Sequence, residues 1–131
     1  MALNKGISIT YCGHSTFKII SAKGKAVVID PWLSSNPACP EALKKTDRLD
    51  LMLITHGHFD HIADAVELGV RLKPRTLTVY EIGGWLERKG VPNVTGMGRG
   101  GTVEAVNRGD YGHPAKKPTL LYFVSQQETP P

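Results

Sequence analysis

Two short runs without a polar residue, Ala26-Val27-Val28-Ile29 and Leu51-Met52-Leu53-Ile54, constrain this chain more than any other feature. A strand that faced water on one side would alternate. These do not, so both read as strands covered on both faces, which requires a sheet with further layers packed on it. The first run stops at Asp30-Pro31, because proline cannot donate to a ladder and holds the preceding residue extended.

The flanking segments fill in the sheet. Ile7-Ser8-Ile9-Thr10-Tyr11 alternates apolar and polar, Thr16 to Ile20 is β-branched and aromatic, and Ser21 to Lys25, with Gly24, supplies a turn between strands. Residues 31–40 read as a loop and Glu41 to Lys45 as one helical turn. Ile62, Ala65, Val66 and Gly69 recur at helical spacing, with Gly69 suited to a helix end. Thr76 to Tyr80 reads as a strand, Ile82 to Lys89 as a short helix, and Gly96 to Gly101 as a glycine-rich loop. The fold class predicted is therefore α/β (α+β), a mixed β-sheet with flanking helices: hairpin strands first, then β, α, β, α. The 14 glycines and 9 prolines fit tight loops and disfavour a helical bundle. At 131 residues the chain makes one domain. From Val106 onward the apolar periodicity stops, except at Leu120 to Val124, so 106–131 is expected to be a divergent, poorly ordered tail.

Charge and cysteine usage narrow the partners. The excess of 16 Lys/Arg over 12 Asp/Glu gives +4 and lies wholly in the second half. No clustered basic residues interleave with aromatics there, so a solvated basic face is the reading and nucleic acid is disfavoured. No run of 18 apolar residues exists, so no membrane span is expected. Cys12 and Cys39 have no Cys-x-x-Cys spacing and no leader-type apolar segment precedes them, which predicts packing thiols in a reduced, cytoplasmic protein.

The chemistry concentrates in Thr55-His56-Gly57-His58-Phe59-Asp60-His61. His56 and His58 lie two apart, so an extended backbone sends both imidazoles to one side, where they can share a cation. Asp60 and His61 come as the chain turns into a helix and can face the same pocket beside a second cation. Imidazole with carboxylate suits zinc or another borderline divalent ion at roughly 2.0–2.2 Å, whereas calcium or magnesium would select oxygens. A polar loop that merely caps the helix is the competing reading, and four ligand-type side chains in six residues outweigh it. His14 reads as a hydrogen-bonded histidine at the pocket rim in preference to a ligand. Gly96 to Gly101 lacks a following Lys-Ser or Lys-Thr and is a turn, not a phosphate cradle.

The His56-x-His58-x-Asp60-His61 pattern after a hydrophobic strand resembles the metal-binding motif of the metallo-β-lactamase superfamily. Ile9 to Phe17 and Val28 to Leu33 resemble the opening hairpin of its metal-dependent hydrolases related to L-ascorbate-6-phosphate lactonase, as does Val94 to Gly101. The likeness covers about residues 7–105, and residues 1–105 are expected to form the first half of a metallo-β-lactamase-like αββα sandwich. The resemblance implies that His56 and His58 hold one metal and Asp60 and His61 a second, most readily zinc, with manganese, iron or nickel as alternatives. It implies that Asp30 stands behind the metal pocket, although a turn-forming role before Pro31 is an equal reading. The implied activity is attack by metal-bound hydroxide on an ester, lactone, amide or phosphodiester of a small molecule. The cation lowers the pKa of bound water from 15.7 to about 7, and Asp60, the implied catalytic residue, orients the hydroxide.

Members of this family continue past residue 131 and draw further ligands from that part. Here only His113 follows His61, in Gly112-His113-Pro114-Ala115, which does not match the family's next metal-binding segment. The chain is therefore expected to be truncated or frameshifted in its C-terminal part, with an incomplete site, an exposed apolar sheet face and impaired turnover. The alternative is a non-catalytic metal-binding remnant that forms a homo-oligomer or binds a full-length relative. A nuclease ranks last.

Overall fold

The computed structural model describes residues 6–104 together with the strand segments Ala2–Leu3 and Tyr122–Val124. Seven strands form one sheet in chain order: β1 (Ala2–Leu3), β2 (Ile7–Gly13), β3 (Thr16–Ile20), β4 (Ala26–Ile29), β5 (Leu51–Leu53), β6 (Arg75–Val79) and β7 (Val94–Met97). β1 to β4 pair antiparallel and β4 to β7 pair parallel. The change at β4 follows from the connections. Short turns join β2 to β3 and β3 to β4, the latter closed by Gly24 N–H donating to Ser21 O at 2.9 Å. Later strands return through helices, as parallel pairing requires. These are α1 (Glu41–Lys44), α2 (Phe59–Ile62), α3 (Ala65–Leu72) and α4 (Tyr80–Arg88). β8 (Thr102–Glu104) and β9 (Tyr122–Val124) form a separate antiparallel pair.

The two unbroken apolar runs are covered as their composition demands. Val28 and Met52 face a helix-side core with Leu33, Ile54, Ala65, Leu68, Leu86 and Val91, while Val27, Leu51, Leu53 and Leu77 face the opposite side, where Val103 of β8 packs on them. Leu51 is 1% exposed and Leu77 is fully buried. Each such side chain is worth roughly 1.5–3 kcal/mol relative to exposure. Cys12 and Cys39 are free thiols inside the helix-side core. Burial pushes both thiols above their ordinary value, against the pull of the Lys18 ammonium, which suits packing and not reactivity.

The register Ile9↔Ile19↔Val27↔Leu51 puts Ile9 on the face opposite the helices. Strand alternation adds Ile7 and Tyr11 to that face. All three are exposed, so among the described residues the exposed apolar face expected from the sequence is limited to β2, while Val27, Leu51, Leu53 and Leu77 on the same face are buried.

Two details differ from the sequence reading. Gly69 does not end its helix. It sits buried inside α3, where a Cβ would come 2.5 Å from Val91 Cγ1, and the helix ends at Lys73 with a left-handed backbone (φ 52°). Gly96 belongs to β7, opposite Thr78, and not to a loop. The predicted strand near residue 122 is β9. The predicted boundary at 105/106, His113 and most of the 106–131 tail lie outside the described residues.

Because β2 runs antiparallel to β3, and β3 to β4, the C-terminal ends of β2, β4 and β5 all reach the same edge of the sheet. Open α/β sheets collect their ligands outside the carboxyl ends of parallel strands. Gly13-His14, Asp30 and Thr55 to His58 therefore meet although up to 45 residues separate them.

Candidate metal centre

Asp30 is the anchor of this edge. It is 3% exposed and has a left-handed backbone (φ 49°), not the extended one expected of a residue before proline. Its Oδ1 accepts from Thr55 N–H at 2.7 Å, and its Oδ2 accepts from the Thr55 hydroxyl at 2.7 Å and from His61 Nδ1 at 2.8 Å. Asp30 thus bonds the Thr55 backbone N–H from 25 residues away, not one in its own turn, and steadies the His61 imidazole from behind.

This network fixes which ring nitrogens remain free. His61 donates its Nδ1–H to Asp30, so its Nε2 keeps the lone pair. Thr55 gives its hydroxyl proton to Asp30, so its oxygen accepts from His56 Nδ1 at 2.9 Å. His56 Nε2 is then the free nitrogen, and it stands 3.2 Å from His58 Nδ1. Two nitrogens bound tetrahedrally to one zinc at about 2.0–2.1 Å lie about 3.3 Å apart. The His56–His58 spacing fits that arrangement, and neutral imidazole is the form that binds metal.

The second pair stands beside the first. His61 Nε2 lies 3.8 Å from Asp60 Oδ1, the His61 ring is 12% exposed, and the His56 and His61 ring centroids are 3.9 Å apart. Desolvation pushes the Asp60 carboxyl up, but its own backbone N–H and the neighbouring His61 and His14 pull it down further, so it sits below the ordinary carboxylate value. His14 stands at the rim, its Nε2 2.7 Å from Asp60 Oδ2. Candidate ligand atoms of His14, Asp60 and His61 lie within 4.8 Å of one another, as do those of Asp30, His56 and His61. The structure thus brings together all six residues singled out from the sequence. Thr55, which links Asp30 to His56, gave no signal beyond its place before the cluster. Asp64 was missed too: its carboxylate accepts from Leu33 N–H and from Ser34 N–H at 3.0 Å and ties down the loop that follows Pro31.

The histidine packing has a pH consequence. Desolvation lowers the His56 pKa below 6.5, and the charges that His61 and His58 gain on protonation act the same way, against Asp30 and Asp60. Below pH 6.5 the unfolded chain therefore binds this proton more readily than the folded one, and stability contributed at higher pH is lost as pH falls through that window. In an NMR titration of the metal-free protein His56 should show its midpoint below 6.5. A midpoint above that value would contradict the packing described.

Residues 8–126 match the Beta-lactamase superfamily domain. The chain belongs to the metallo-β-lactamase superfamily. Among curated superfamily relatives, a UPF0173 metal-dependent hydrolase of Koribacter versatilis is 51% identical over 98 residues, covering 75% of this chain and 42% of that protein. One from Solibacter usitatus is 44% identical over 96 residues, covering 73% of this chain and 41% of that protein. Among solved structures, Igni18, a metallo hydrolase of Ignicoccus hospitalis, superposes with a TM-score of 0.64 at 36% identity, over 75% of this chain and 42% of Igni18. CmlA, a diiron β-hydroxylase of Streptomyces venezuelae, gives 0.59 at 25% identity, over 76% of this chain and 22% of CmlA. This superfamily chain therefore spans about two fifths of the length of the curated relatives it matches, and its mixed sheet with helices is the fold of its metallo-hydrolase neighbours.

Proposed function

We propose that His56, His58, Asp60 and His61 hold one or two divalent transition-metal ions, zinc first among them, in the N-terminal part of a metal-dependent hydrolase. The observation that carries this reading is the convergence of His56 Nε2 and His58 Nδ1 beside the Asp60–His61 pair, at the carboxyl edge of the sheet. The names of the Koribacter and Ignicoccus relatives support it. A divalent ion bound there supplies a Lewis acid that polarises a substrate oxygen and acidifies water. The chain's own residues do the rest. Asp30 and Thr55 hold His61 and His56 with their Nε2 atoms forward, and ionised Asp60 accepts a hydrogen bond from the attacking water and so orients it.

The substrate class is a small molecule with an ester, lactone or phosphodiester bond. A lactone follows from the likeness of residues 9–17 and 28–33 to relatives of ascorbate-6-phosphate lactonase. The setting is cytoplasmic, with both thiols reduced. Turnover by these 131 residues alone is impaired, since misplacing a nucleophile by about 1 Å can cost on the order of 100-fold. The exposed Ile7, Ile9 and Tyr11 favour a second reading, a metal-binding remnant without turnover that self-associates or binds a full-length relative.

Elemental analysis after dialysis should find a transition metal in the purified chain and much less in His58→Ala and Asp60→Ala. Wild-type metal content in both variants would overturn the site. Slow, chelator-sensitive hydrolysis of a lactone or phosphodiester that disappears in His56→Ala favours the hydrolase, whereas its absence together with concentration-dependent sedimentation favours the remnant.

A further inference from the structure

We propose that His14 is itself a metal ligand, joining Asp60 and His61 as the third protein donor to their ion. The inference rests on the reading that Asp60 and His61 hold a metal. His14 Nε2 lies 2.7 Å from Asp60 Oδ2, His61 Nε2 lies 3.8 Å from Asp60 Oδ1, and donor atoms of the three residues fall within 4.8 Å of one another. Donors at about 2.0–2.2 Å from a common ion lie roughly 3–4.4 Å apart, so the three require only a small adjustment to share one. The other His61 nitrogen is committed to Asp30, which leaves Nε2 for this cluster.

The backbone gives a second, independent reason. His14 has φ 56° in a two-residue turn between β2 and β3, a left-handed conformation that a non-glycine residue adopts only at a cost. The turn itself does not require an imidazole. The His14–Asp60 pair does not account for the cost either, because its side chains are 41% and 36% exposed and water screens such a pair. Surrounding contacts nevertheless hold the turn and line the ring. The Tyr11 hydroxyl donates to the His14 carbonyl at 2.8 Å, and the imidazole packs edge-on against Trp32 at 5.4 Å and His61 at 5.3 Å. A strained residue whose ring is held with Nε2 against a carboxylate is arranged as a ligand is arranged. One ion then takes His56 and His58, and the other takes His14, Asp60 and His61.

Scalar coupling between bound cadmium and ring nitrogens tests this in the full chain, labelled with nitrogen-enriched histidine and loaded with NMR-active cadmium as the zinc stand-in. A large one-bond coupling to the ring nitrogen requires a coordinate bond, so a histidine that merely hydrogen-bonds Asp60 shows none of that size. The expected result is coupling to Nε2 of both His14 and His61, with the His14 coupling missing in His14→Asn. Asparagine tolerates a left-handed backbone and is too short to reach the ion. If that variant does not fold, the His14 resonance is assigned in the wild type through its own backbone. Coupling to His61 without His14 overturns this inference and leaves the metal site standing. Absence of any cadmium–imidazole coupling overturns both.

Discussion

Asp30→Asn is expected to leave the protein folded and to weaken metal binding by about 10–100-fold, the usual effect of removing the hydrogen-bond acceptor behind a ligand imidazole. Asparagine tolerates the left-handed backbone at this position (φ 49°), and its carbonyl can still accept from Thr55 N–H as Oδ1 does. Its NH2 group, however, replaces the oxygen that accepts both the Thr55 hydroxyl and His61 Nδ1–H. His61 then loses the partner that fixes its tautomer, and Thr55 loses the reason to keep its oxygen free for His56. One substitution thus loosens two imidazoles without touching either. Chelator competition measures the affinity, and circular dichroism with a urea midpoint checks the fold. An unchanged affinity in a folded variant would show that Asp30 acts only as a turn-former. Asp30→Ala should be more damaging, because a buried donor left without its acceptor costs about 1–3 kcal/mol and three donors converge here.

Gly13→Ala should be the most destabilising single methyl addition on the site side of the sheet, at about 3 kcal/mol or more. Gly13 has φ 104°, where an L side chain is strained by about 1–3 kcal/mol. A Cβ there would also stand 2.9 Å from the Ala38 carbonyl carbon, and overpacking of this kind adds about 1–3 kcal/mol. The Gly13 carbonyl also accepts from the Asn36 amide at 3.4 Å, and Asn36 is fully buried, so the turn cannot move away without disturbing the loop after Pro31. Urea unfolding of the metal-free protein gives the value directly. A loss below about 1 kcal/mol would mean that the turn relaxes freely and that His14 is not rigidly placed.

Local pattern carried much of this protein. The apolar runs at 26–29 and 51–54, the alternation at 7–11 and the punctuation by Gly24 and Pro31 identify the strands, because burial on both faces or on one writes itself into neighbouring residues. The His56 to His61 cluster is legible for the same reason: its four donors sit within six residues, so strand extension and a helix start suffice to bring them together. Gly69 misled because a glycine at helical spacing suits a helix end equally well, and only the neighbouring Val91, 22 residues on, shows that close packing is its role.

What sequence alone left open is what depends on register and strand order. Asp30 reaches His61 across 31 residues, and His14 reaches Asp60 only because two antiparallel steps return the β2–β3 turn to the carboxyl edge of the parallel strands. Thr55 joins Asp30 to His56 through hydroxyl orientation, which no spacing encodes. Hydrophobic period specifies which face of each strand is buried, but not which strand lies beside it. The sequence by itself therefore determined the strands, the helix-flanked mixed sheet and the ligand-rich segment, and the tertiary structure decided which distant polar groups stand behind and beside it.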